Sequence, residues 1–248
     1  MLSAFIWAFV GAASLLVGGV IACWFQLSKT TLGIIMAFGA GVLISAVSYE
    51  LVFEAIQMQT DGGWAAIGFF SGAFIFFFAD NIIEKMGAGN RKAIGATHQS
   101  SLVIPLVLGI ILDGIPESVV IGLSILEGGV VSIGMLVAVF ISNIPEAVAG
   151  TAGMRAGGWS RSKILFLWLF IALVCAAASA MGYTLLGGLS PNWLALVNTF
   201  AAGAILMMLA NTMIPEAYKH GGKLAGVFTV LGFAVAVWVV VLEKSSAA

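Results

Sequence analysis

Leu112-Asp113-Gly114-Ile115-Pro116-Glu117 and, twenty-nine residues on, Ser142-Asn143-Ile144-Pro145-Glu146 decide how the chain is read. Each places Ile-Pro-Glu just after a small polar group inside a long apolar run. A charge at the centre of a bilayer-length helix costs at least ~2.5 kcal/mol on insertion scales, so ionisable residues there face a cavity or a partner and mark a pathway. Both motifs therefore point to a helical membrane protein with a polar interior site.

The surroundings agree. Of 248 residues, 61% are hydrophobic and 8% charged, with a mean hydropathy of +1.13; soluble domains carry about a quarter charged residues. Cutting the chain at Gly, Pro and charge gives eight apolar segments, at 2–26, 30–56, 64–84, 101–126, 129–154, 162–187, 192–218 and 223–243, each near the ~20 residues a span needs. The first is longer than a signal-peptide core and has no basic residue before it, so it reads as a retained span. Basic residues fall after the first, third, fifth and seventh spans: Lys29; Lys85, Arg91 and Lys92; Arg155, Arg161 and Lys163; Lys219 and Lys223. Only Lys244 lies on the other side. The positive-inside rule puts the basic face in the cytoplasm and both termini outside. The stretch from 86 to 99 is the longest loop and is expected to be flexible. Trp7, Trp24, Trp64, Trp159 and Trp193 stand near span ends, where an aromatic belt belongs.

The segment Ala37 to Ala55 aligns without gaps on Thr199 to Ala217 at an offset of 162, and spans three and eight both close on Glu-Lys. Spans 1–3 (2–84) and 6–8 (162–243) then form two halves of opposite direction around spans 4–5 (101–154). This is the inverted-repeat logic of secondary carriers, with the substrate site where the halves meet. The expected fold is an all-α membrane protein of eight transmembrane helices, 3+2+3, in one domain.

Asp113 and Glu117 are four apart and Asn143 and Glu146 three apart, so each pair shares a helical face. At 1.5 Å per residue Asp113 lies about 18 Å from the cytoplasmic end of its span and Asn143 about 21 Å from the outer end of its own, so the two sets can meet at mid-depth. Pro116 and Pro145 free the carbonyls of Leu112 and Ile141. Gly114, Gly122, Gly150 and Gly153 are expected to let spans four and five approach closely. Three carboxylates and an amide, with Ser142 alongside, form a hard oxygen-rich set suited to a divalent cation. The competing reading holds the carboxylates protonated and hydrogen-bonded as structural groups. Cys23 and Cys175 have no paired spacing and read as packing residues.

The paired motifs resemble the His-Asn-x-Pro-Glu-Gly type signatures on the fourth and fifth helices of the ZIP (Zrt/Irt-like) metal transporters, and Met213-Ile214-Pro215-Glu216-Ala217 resembles that family's seventh-helix Ile-Pro-Glu. The resemblance covers the whole chain and implies a bacterial carrier of zinc, iron, manganese or cadmium into the cytoplasm, with the metal as substrate and no organic cofactor. It places Asp113 where the family usually has His and Gly114 where it has Asn. Glu117 and Glu146 stand at the shared glutamates, Ser142 at a His or Gln position, and Asn143 at an Asn or Asp position. The site is thus divergent: both His are replaced, and the sixth span offers no acidic residue to complete a second metal position. Carboxylates suit manganese and magnesium better than imidazole does.

Glu50, Glu54, Asp61 and Glu127 are expected to form an acidic funnel at the outer end, with a solvated helix end as the alternative. Asp80, Glu84, Glu216 and His220 are candidates for an exit relay; His220 and His98 also read as ordinary interfacial histidines. The expected partners are membrane lipid, the divalent cation and, as one open arrangement, a second copy of the chain in a homodimer. Nucleic acid has no basic patch to bind, and no nucleotide-binding or protease motif suggests an enzyme. Two rivals to a metal permease of the cytoplasmic (inner) membrane stay open: a proton-coupled carrier of another solute, and a metal-binding sensor that transports nothing.

Overall fold

In hydrocarbon a backbone N–H or C=O has no water to bond, so a long apolar segment closes its hydrogen bonds within itself as a helix. The structure is a computed structural model and describes residues 1–25, 27–60, 62–88, 94, 103–129 and 131–246. Eight helices in it are long and apolar enough to cross a membrane. They are α1 (Leu2–Trp24), α2 (Lys29–Met58), α3 (Trp64–Gly87), α4 (Val103–Gly128), α5 (Ile133–Ala156), α6 (Arg161–Leu186), α7 (Pro191–Gly221) and α8 (Lys223–Ser246). No strand occurs among the described residues. Asp61, Arg91, Lys92 and His98 lie outside them, as does all of the 86–99 loop except its first three residues and Ile94.

The ends follow from local chemistry. Ser28, Ser132 and Ser160 start α2, α5 and α6 by accepting the N–H groups of Thr31, Met135 and Lys163 at 3.0, 3.1 and 3.4 Å, as N-cap hydroxyls do. Gly222, at φ 57° and ψ −143°, takes a conformation closed to L side chains and turns α7 directly into α8. Helices α2 and α7 run a few residues past their expected ends. Each contains a π-helical segment, Val47–Val52 in α2 and Leu209–Met213 in α7, which absorbs extra residues without stopping the helix. The two segments start 162 residues apart, the offset of the sequence repeat.

Helix packing shows the same correspondence. α3 lies along α7 and α8 along α2, while α1 packs on α5 and α6, and α4 on α6. Exchanging 1 with 6, 2 with 7, 3 with 8 and 4 with 5 carries these pairings onto one another. The closest approaches match in detail. A Cβ on Gly72 would overlap the carbonyl oxygen of Phe200, and one on Gly232 that of Phe38; one on Gly203 would overlap the oxygen of Phe69, and one on Gly41 that of Thr229. Phe38 and Phe200 are again 162 apart. Small residues are what allow helix backbones to come this close.

The apolar surface points outward. Ile67, Phe70, Phe74, Phe78 and Ile82 on α3, and Val227, Val230, Leu231, Trp238 and Val241 on α8, are exposed, an apolar area that suits lipid and not water.

Candidate metal centre

Asp113 and Glu117 from α4 and Asn143 and Glu146 from α5 line one small cavity. α1 closes it with Ala12 and Leu15, α6 adds Cys175, and α4 supplies Ile110, Gly114 and Ser118. The room inside is about 10 Å³, near the least that one water molecule needs. Asp113, Glu117 and Asn143 are 4%, 2% and 6% exposed, and Glu146 is partly buried. Among the described residues lining it are carboxylates, an amide, a hydroxyl and a thiol, with no basic side chain. The same helix faces that the i, i+4 and i, i+3 spacings defined are thus turned to a common point.

No three His, Cys, Asp or Glu side chains among the described residues are drawn together closely enough to hold a metal ion. Ser118 Oγ donates to the Gly114 carbonyl at 2.7 Å. Ser142 is fully buried but does not line the cavity: its backbone lies beside Gly39 of α2, and its hydroxyl donates to the Val139 carbonyl at 3.1 Å.

Three of the four glycines, Gly114, Gly122 and Gly150, act differently from expectation. They bring α4 and α5 against α6 instead of against each other: Gly114 faces Cys175, Gly122 faces Ser179 and Gly150 faces Trp168. Glycine marks where a backbone is approached, not by which neighbour. A Cβ on Gly114 would sit 2.8 Å from Cys175 Sγ. Trp168, buried, is fixed by donating Nε1 to Thr151 Oγ1 at 2.8 Å. Ser118 and Cys175 are the polar lining residues that the sequence reading did not assign to the site; for Cys175 the only signal was its place in a run of small residues, Cys175 to Ala180.

Two further groups of acids lie toward the ends. At one end Glu50 accepts a hydrogen bond from Ser132 Oγ at the start of α5 and lies against Gly134. Glu127 accepts from Asn198 Nδ2 at 2.8 Å, and Glu54 is near enough for its charge to act on Glu127. The described members of the expected funnel therefore share one end. At the opposite end Glu216 Oε1 accepts the Ile94 N–H at 2.6 Å and lies 2.9 Å from His220 Nε2, while Lys219 Nζ is 3.5 Å from Oε2. Asp80, on α3, is buried at 4% exposure. None of Glu50, Glu54, Asp80, Glu216 and His220 lines the central cavity.

Eight bilayer-length helices around a buried, carboxylate-lined cavity define a multi-pass membrane protein with an intramembrane polar site. The chain is similar to a protein of Arabidopsis thaliana provisionally named a zinc transporter, at 28% identity over 212 residues covering 84% of this chain. It is also similar to the zinc transporter GufA of Myxococcus xanthus, at 28% identity over 207 residues, 79% of this chain and 80% of that protein. The chain spans about a third of the length of the Arabidopsis relative. No family profile matches it. Relatives named for metal transport bear out the resemblance carried by the motifs.

Proposed function

We propose that this chain is a ZIP-like permease that moves a divalent metal cation, such as zinc, iron, manganese or cadmium, across the cytoplasmic membrane. The ion is its substrate, held between the helices by Asp113, Glu117, Asn143 and Glu146. The observation that carries the reading is that these four donors, from two helices, line one small buried cavity. An entering cation would draw these donors around itself, since carboxylates and amide oxygens are the ligands hard and borderline divalent ions take. The matched helix pairings and π-helical segments support two inverted halves, and such halves expose a central site alternately to the two sides. The acids around Glu50, Glu54 and Glu127 would concentrate cations at one mouth. Orientation with both termini outside rests on the basic residues gathered at the other end.

The test is flux of zinc, manganese and cadmium into liposomes holding the purified protein. The wild type carries at least one of these ions, and Glu117→Ala and Glu146→Ala do not. Uptake falls as pH is lowered, because a protonated carboxyl group is a poor ligand. Flux unchanged in both variants overturns the proposal; proton flux driven by a non-metal solute would favour the proton-coupled rival.

A further inference from the structure

At the basic end of the molecule, the turn between α5 and α6 and the first three turns of α6 wall a cavity of about 610 Å³ that shares no residue with the central one. Its lining is graded. Gly158, Trp159, Ser160 and Lys163 form the end at the helix start, and Phe166 and Phe170 continue the wall along α6. These rings lie three and seven residues past Lys163, on one helical face and about 5 and 10 Å deeper. Lys163 is exposed, and Phe166 and Phe170 are 71% and 46% exposed on a helix of bilayer length. An ammonium group above rings that face hydrocarbon has the polarity of a phospholipid, with its charged head at the interface and its chains below.

The charge here is one-sided. Arg155 lies in the last turn of α5, and Arg161 opens α6 with its guanidinium 5.2 Å from the centre of the Trp24 ring. No Asp or Glu occurs between Glu146 and Glu216, so these two arginines and Lys163 have no acid in their own segment. Two kinds of donor add to them. The first N–H groups of α6 have no carbonyl one turn back, and with the helix dipole they favour an anion. Trp159 Nε1 is buried with no acceptor among the described residues, and a buried donor left unpaired is costly. Gly158 makes the turn at φ 85°, where L side chains are strained, and a Cβ on it would meet nothing within 4 Å.

We propose that this cavity binds one anionic phospholipid, with its phosphate on Lys163, Trp159 Nε1 and the first turn of α6, and an acyl chain along Phe166 and Phe170. Basic pockets at the ends of membrane helices take such headgroups. The apolar half of the wall commits the site to a lipid over a free phosphate. The site is separate from the central cavity and needs no metal.

Native mass spectrometry of the purified full-length protein, titrated in detergent with phosphatidylglycerol or with phosphatidylcholine of the same chains, tests this. The expected result is one phosphatidylglycerol held about fivefold more tightly than phosphatidylcholine, the scale of one basic residue acting on an anionic headgroup. Lys163→Gln removes that preference while still holding phosphatidylcholine, and Phe170→Ala weakens both lipids alike. Lys223→Gln, which removes another exposed charge at the same end, leaves the preference intact, and excess inorganic phosphate does not displace the lipid. Equal retention of the two lipids by the wild type, or a preference that survives in Lys163→Gln, overturns the proposal. So does a preference lost as fully in Lys223→Gln as in Lys163→Gln, which would mean attraction to the basic surface at large. Displacement by inorganic phosphate overturns it too, because the site would then take free anions.

Discussion

Glu117 and Glu146 follow Ile-Pro in the middle of α4 and α5 and line the central cavity, whereas Glu216 follows the same Ile-Pro near the end of α7. There it meets His220, Lys219 and the N–H of Ile94. Three copies of one tripeptide thus stand in two environments. Near a helix end, beside an exposed lysine, a carboxylate has local cationic and backbone company, and such pairs contribute little in water. At mid-helix, at membrane depth, a carboxylate keeps its charge only at a cost that a bound cation would help to offset. The tripeptide alone does not make a ligand; its depth does.

The contrast can be broken most directly by neutralising each glutamate at nearly constant volume. Glu117→Gln or Glu146→Gln should lower metal flux on the order of a hundredfold, the scale of losing a metal ligand or its support. Glu216→Gln should change it by about fivefold at most, equivalent to the ~1 kcal/mol of an interfacial ion pair. Comparable losses at all three would erase the distinction. A smaller effect tests the equivalence of α2 and α7 that puts Glu216 where it is. Gly41→Ala and Gly203→Ala each force a Cβ onto a neighbouring backbone carbonyl and should each destabilise the protein by about 1–3 kcal/mol in thermal unfolding. Clearly unequal costs would show that the two helices are not held alike. Smallest is Thr151→Val, which removes the acceptor of Trp168 Nε1; an interhelical bond of this kind is worth about 0.6 kcal/mol, and metal flux should be unaffected.

Much of this was legible in the sequence. Apolar length set eight helices to within a few residues, and the i, i+4 and i, i+3 spacings put Asp113, Glu117, Asn143 and Glu146 on faces that meet. These signals are local and survive in any fold that keeps the helices. Other features are set by neighbours. Ser142 sits one residue from Asn143 but is rotated toward Gly39 of α2, because adjacent helix positions are about 100° apart. The partner of Gly114 is Cys175 on α6, and the partner of Glu216 is the backbone of Ile94, 122 residues away. A bilayer helix is apolar on its lipid side and its protein side alike, so periodicity could not show which face of α6 turns inward. The π-helical segments left no mark in composition, although the sequence repeat placed them at equivalent positions.

The central claim is that a divalent cation occupies the cavity between α4 and α5. Equilibrium dialysis of the purified protein against zinc, with metal analysis of the retained protein, tests it without relying on transport. Zinc retained by the wild type and by Glu216→Gln, and lost from the Glu117→Gln/Glu146→Gln double variant, is the predicted result. Zinc retained equally by the double variant would contradict it.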